Sequence, residues 1–198
     1  IYGSHHTGGV PAGRIGLLVD AATAFGSGEH ATTRGCLAAL DRLARRQRVR
    51  RPLDLGCGSG ILALALAKRW HVTVRAADID PESVRVTRAN AALNGVGRRV
   101  RAARSDGYRA PLVRGGRPYD LIASNILAQP LCRFARDLRR HLAPGGVAVL
   151  SGLLVGQEAQ VIAAHRRQGL ALRRRTRRDG WSTLEFGRRT AQLSRQEA

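Results

Sequence analysis

The chain has 198 residues, 43% of them apolar, enough for one domain with a buried core. Its 34 basic residues against 14 acidic ones leave a net charge of +20, a balance drawn to nucleic acid or another acidic surface. The longest apolar runs, residues 61–67 and 147–150, are too short to span a bilayer, and residues 1–24 hold no continuous apolar stretch of a signal peptide.

Cys36, Cys57 and Cys132 are odd in number and widely spaced, with no CxxC, and the histidines do not fall at metal-ligand spacings. Neither a disulfide framework nor a metal site is expected, and a reducing cytoplasm is the expected compartment. Every basic residue except Lys68 is Arg. A codon bias accounts for Arg over Lys but not for the shortage of acids, so a functional basic face and compositional drift both stay open. Methionine is absent even at position 1, which implies a fragment or a processed product.

Residues 1–14 are rich in Gly, His and Pro and read as a loop. Residues 15–19 predict a short strand. Residues 25–33 (FGSGEHATT) form a turn, with Thr32 and Thr33 as helix N-cap types, and Cys36, Leu37, Leu40 and Leu43 then repeat at helical spacing. Strands and helices alternate from there. Residues 52–55 predict a strand ending in a glycine loop, 61–69 a helix, and 72–77 a strand ending at Asp78. Pro81 opens a helix that runs to Asn94–Gly95. Weak strand character at 100–103 precedes Ser105-Asp106-Gly107, and 120–124 form another strand. A helix is expected over 127–142, a turn at Pro144-Gly145-Gly146, a strand at 147–150 and a helix at 155–168. Strands at 170–174 and 182–186, with no helix between them, predict an antiparallel hairpin at one edge. The Arg-rich run at 173–178 reads as a linker or as an edge strand with solvated charges. Such alternation argues for a parallel sheet covered on both faces.

A strand entering a glycine turn and then a helix presents backbone N–H groups and a helix N-terminus to an anion. In residues 54–60 (DLGCGSG) the glycines are Gly56, Gly58 and Gly60. Gly-x-Gly-x-x-Gly would need glycine at Ile61, so the dinucleotide spacing fails. Asp78, at the end of the next strand, has the position and chemistry to take both hydroxyls of a ribose. Asp80, before Pro81, reads as a helix cap. Asn125 directly follows an apolar strand at the carboxyl edge of the sheet, where a ligand-contacting residue belongs; a helix cap is the other reading.

The pattern Asp-x-Gly-x-Gly-x-Gly resembles motif I of the class I S-adenosylmethionine-dependent methyltransferases. That likeness implies Gly56, Gly58 and Gly60 along the cofactor, Asp54 near its methionyl ammonium and Asp106 near its adenine. ASNILAQPL is similar to the ANILAGPL segment of the ribosomal protein L11 methyltransferases (PrmA type). FGSGEHATT resembles that family's AFGTGxHxTT, GLLVGQEAQV its SGILxxQ, and GWSTLEFGRR its GWxxLxxRR. Together the likenesses cover most of residues 14–189. The resemblance implies a Rossmann-like α/β fold: a seven-stranded mixed sheet, helices on both faces and an antiparallel last strand. The catalytic domain would occupy residues 15–189, with a loop remnant at 1–14 and a disordered tail at 190–198.

The resemblance further implies S-adenosylmethionine as cofactor, Thr33, Gly56, Asp78 and Asn125 as its contacts, and lysine and N-terminal amines of a ribosomal protein as acceptors. Asn125 would accept a hydrogen bond from the incoming amine, and Glu29 and His30 would orient or deprotonate it; for both, the reading as solvated loop residues stays open. The sequence departs from the family at Asp20-Ala21-Ala22-Thr23, where Asp-Pro-Gly is common, and at Ser27, where Thr is usual. The family's N-terminal recognition domain has no counterpart in these residues. Three alternatives stand beside this reading. Base-amine methyltransferases place Asn before Pro-Pro-aromatic, but Ile126 and Leu127 follow here. A non-enzymatic RNA-binding module would lack the cofactor marks. A basic face that docks a methyltransferase on ribosomal RNA is compatible with them.

Overall fold

A computed structural model describes residues 1–2, 10–19 and 30–188. The expected tail at 190–198, and residues 25–29 of the FGSGEHATT turn with Glu29 among them, lie outside the described residues. The elements in chain order are α1 (Ala31–Ala44), β1 (Pro52–Leu55), α2 (Ile61–Trp70), β2 (Val74–Asp78), α3 (Pro81–Leu93), β3 (Val100–Arg104), α4 (Pro111–Arg114), β4 (Tyr119–Asn125), α5 (Ala128–Arg133), α6 (Ala135–His141), β5 (Leu142–Leu154), α7 (Glu158–Arg166), β6 (Leu170–Arg178) and β7 (Trp181–Arg188). A short 3₁₀ turn, Val155–Gln157, leads into α7.

The sheet has seven strands in the order β3-β2-β1-β4-β5-β7-β6. β1 to β5 run parallel, and β7 lies antiparallel between β5 and β6. The expected mixed α/β sheet with an antiparallel final strand is therefore present. Strand residues alternate between two cores. Val74, Ala76, Leu121, Ala123 and Val149 face one, with Cys36 and Leu40 of α1 and Leu64 and Leu66 of α2. Leu53, Ala77, Ile122, Ala148 and Leu150 face the other, with Leu131, Leu138 and Val161 from α5, α6 and α7. Side chains at successive strand positions point to opposite faces, so near-continuous apolar strands are what a doubly covered parallel sheet requires.

Four local expectations change. Among the described residues, 15–19 form no strand. Leu18 makes a single bridge to Tyr2, and its N–H and C=O are taken by the Asn94 side-chain amide at 3.0 and 2.6 Å. The cap of α1 is His30, not a threonine: its ring accepts the Thr32 N–H, which leaves Thr32 and Thr33 buried in the first helical turn. The helix expected over 127–142 breaks at Phe134 into α5 and α6. β5 starts at Leu142 and carries Pro144-Gly145-Gly146 inside an irregular stretch where its register with β4 jumps. The four-residue helix α4 was not expected at all.

Candidate functional site

β1 sits where the chain reverses direction along the sheet, stepping out to β2 and β3 and then back to β4. The crevice outside the carboxyl ends of β1 and β4 is the ligand position this topology creates. A cavity of about 600 Å³ opens there. Its wall includes His30, Thr33, Gly56, Gly58, Asp78, Asp106 and Asn125, so seven of the expected site residues share one cavity.

The floor is the β1–α2 loop. Gly56, Gly58 and Gly60 all have positive φ, +76°, +52° and +84°. The strand is turned back by Gly56 and Cys57 donating to the Ala77 carbonyl at 2.7 and 3.1 Å. A side chain on Gly56 would run into Ile126, so the glycine lets the β4 end close over the loop. From behind, Thr87 donates to the Gly58 carbonyl at 3.0 Å and Asn90 to the Ser59 carbonyl at 2.9 Å, which ties the loop to α3.

Two expected contacts lie behind this wall. Gly60 caps α2 and backs onto Thr87. Asp54 is fully buried beneath the loop, where its Oδ2 accepts the Ala63 N–H at 2.9 Å. Its Oδ1 has no protein partner among the described residues. Burial pushes its carboxyl up to about 7; the Ala63 bond opposes that rise and the nearby Asp78 charge adds to it.

Asp78 is held by two backbone donors. Its Oδ2 accepts from Gly58 at 2.9 Å and its Oδ1 from Asp80 at 3.1 Å. Each oxygen keeps acceptor capacity for a further donor. Asp80 caps α3 as expected, accepting from Glu82 and Ser83. Asp106 reaches the cavity but is shared between Arg109 and Arg133, at 3.1 and 3.0 Å.

Asn125 closes the opposite side. Its Nδ2 donates to Thr32 Oγ1 at 3.2 Å and to Thr33 Oγ1 at 3.4 Å, and its Oδ1 is buried without a protein partner among the described residues. Thr32 Oγ1 also meets His30 Nδ1 at 2.8 Å. Because that ring nitrogen accepts the Thr32 N–H, the bonds run one way, from Asn125 through Thr32 to His30. The His30 ring stands edge-on to Trp181 with centroids 4.7 Å apart. Sequence reasoning missed Trp181, Phe134 and Ile79 on this wall. The GW pair was visible as a motif, but only the antiparallel return of β7 brings Trp181 beside His30.

The sequence model of the family "Ribosomal protein L11 methyltransferase (PrmA)" matches residues 1–189. A ribosomal protein L11 methyltransferase from Bradyrhizobium diazoefficiens is 48% identical over 184 residues, which is 93% of this chain and 62% of that protein. Its counterpart from Rhizobium etli is 44% identical, over 95% of this chain and 64% of that protein. The chain thus spans less than two thirds of the length of these relatives. The solved structure of ribosomal protein L11 methylase from Lactobacillus delbrueckii subsp. bulgaricus has a TM-score of 0.77 at 30% identity, covering 87% of this chain and 85% of that one. A methyltransferase from Pyrococcus furiosus, at 20% identity and a TM-score of 0.63 over 78% of this chain and 83% of that one, shares the fold. The chain belongs to the ribosomal protein L11 methyltransferase (PrmA) family.

Proposed function

We propose that this chain transfers methyl groups from S-adenosylmethionine to amines of ribosomal protein L11, at lysine side chains and the N-terminus. The observation that carries the reading is the Asn125 amide. Two threonines hold its Nδ2, and its buried carbonyl oxygen, without a protein partner among the described residues, remains on the wall of a cavity that also contains Asp78.

The residues fit the cofactor. The Asp78 carboxylate has one spare acceptor site per oxygen for the two ribose hydroxyls, and Gly56 and Gly58 bring bare backbone to the cavity wall. Asp106, though shared with Arg109 and Arg133, keeps lone pairs for an adenine amino group. Ile79, 60% exposed, offers an apolar surface at the rim. Asp54 acts beneath the loop through Ala63 rather than as a wall contact. When bound, the sulfonium supplies an activated methyl group.

The chain's own task is to present a neutral amine along one line. Asn125 Oδ1 accepts an N–H of that amine and sets its direction, while Thr32 and Thr33 prevent the amide from turning over. His30, with Nδ1 committed to Thr32, contributes Trp181-braced shape to the acceptor side. No strong side-chain base is needed, because the proton can leave to solvent once the amine is placed. The apolar wall strips water from the amine before it reacts. Reaction with labelled S-adenosylmethionine and purified ribosomal protein L11, read by mass spectrometry, should place label on amine nitrogens. Label on carboxylates or on nucleic-acid bases would overturn the reading.

A further inference from the structure

The hairpin at the sheet edge carries a charge distribution that methyl transfer does not use. Residues 166–178 contain seven arginines and no Asp or Glu. They run from the last turn of α7 through Gln168 and Gly169 and along β6, the outermost strand, which pairs on one side only. All seven arginines are exposed. Two of them, Arg175 and Arg177, bind Glu158 at 3.2 and 2.8 Å. The other five have no carboxylate partner among the described residues. The acid on the facing strand, Glu185, is already paired with Arg42 of α1, and Asp179 lies at the hairpin turn. Adjacent like charges without counter-charges repel one another and attract a polyanion that neutralises them together.

At roughly 3.3 Å per residue, nine residues of β6 make a basic ribbon about 27 Å long. It contains no aromatic side chain, so bases cannot stack on it as they do on single-strand-binding surfaces. The narrow major groove of A-form RNA hides base edges from side chains, which leaves phosphates as the groups within reach. Arg178 is the cross-strand partner of Trp181, so the end of the ribbon adjoins the cavity wall.

We infer that residues 166–178 form a binding surface for the phosphate backbone of double-helical RNA, sequence-independent and set beside the methyl-transfer cavity. The choice of RNA among polyanions rests on the proposed ribosomal-protein acceptor; the surface itself does not depend on that activity.

The test is fluorescence anisotropy of the full chain with a labelled RNA duplex, titrated between about 50 and 200 mM salt. The triple variant Arg173→Gln, Arg174→Gln, Arg178→Gln is compared with Arg98→Gln, Arg99→Gln, Arg101→Gln at the β3 edge, which removes the same charge from the opposite side of the sheet. The hairpin triple should bind at least about tenfold more weakly, and its slope of log K against log salt should fall by about 2 to 3. The β3-edge triple should change affinity by no more than about twofold. Equal weakening by both triples, or by neither, overturns the inference. So does binding to vesicles rich in anionic phospholipid that the hairpin triple abolishes, with no binding to RNA. Should the Gln triple misfold, the corresponding Arg→Lys triple reads the same question: it keeps the charge and must keep the salt slope. S-adenosylmethionine binding by the same variants, measured by dialysis, separates failure of this surface from failure of the methyl-transfer reading.

Discussion

Asp54 and Asn125 each bury a side-chain oxygen that has no protein partner among the described residues, yet they do different work. Asp54 braces the glycine loop from below through Ala63. Its folded carboxyl titrates near 7, well above the unfolded value of about 3.9. Between those values the native state keeps a proton that the unfolded state has lost, so this group makes stability fall as pH rises from about 4 to about 7. Asp54→Asn keeps an acceptor for Ala63 and cannot ionise. Its melting temperature relative to the parent should therefore rise between pH 5 and pH 7.5; parallel melting curves across that range would refute the assignment. Asn125→Ala should cut turnover by about 10²-fold, the scale of a misplaced reacting group. The S-adenosylmethionine dissociation constant should change far less. Equal losses in both would reduce Asn125 to a plain cofactor contact. The candidate role of Asn125 was legible because it ends an apolar strand at the carboxyl edge. The His30 cap was not, since only the folded first turn of α1 shows the ring accepting the Thr32 N–H.

Gly152 of β5 and Glu158 of α7 both lie against the hairpin half of the sheet. Gly152 lies in β5 at φ +87°, where the register with β7 shifts between Leu150 and Leu153. A methyl group there would meet the backbone of Ile126 on the cavity wall. Gly152→Ala combines left-handed strain with overpacking and should cost about 2 kcal/mol or more, seen as a lower denaturant midpoint with an unchanged m-value. At the start of α7, buried Glu158 takes Arg175 and Arg177 of β6 and Ser182 of β7. The Arg177 bond, supported by Ser182, holds its carboxyl down to about 2 against the cost of burial. This depressed value contributes stability in full above the unfolded pKa of about 4.3, and the contribution is lost as pH falls toward 2. Glu158→Gln should cost about 1–3 kcal/mol at neutral pH and converge with the parent in acid, read by urea unfolding at each pH. Element types were readable from period and punctuation: β1 occupies its expected residues and α3 carries its expected Asp80 cap and Pro81. The break at Phe134 was not readable. Its ring packs edge-on against Tyr108, centroids 6.1 Å apart, and over Gly107, two residues far away in sequence.

At the scale of the whole molecule, the cavity joins residues from both halves of the sheet, so a ligand there should stabilise the domain as a unit. S-adenosylmethionine at 100 times its dissociation constant should add about 2.7 kcal/mol. For a domain of this size that is a rise of about 5–10 °C in melting temperature. Asp78→Ala, which removes both spare carboxylate acceptors, should abolish most of that rise in a thermal-shift measurement, and an undiminished rise would remove Asp78 from the cofactor site. By itself the sequence determined the alternation of strands and helices, the glycine loop and the acid after it, and the motif likeness that the family match bears out. These are local patterns, written in residue spacing and in backbone conformations that few side chains tolerate. The tertiary structure decided which of those residues share a wall. It set Asp54 beneath the loop, turned Gly60 toward Thr87 at the loop's back, and gave Asn125 its fixed orientation between two threonines. It also carried Trp181 to His30 across more than half the chain, and laid the arginines of β6 along an open edge. Such pairings depend on strand order and on the reversal at β1, which no window of neighbouring residues contains.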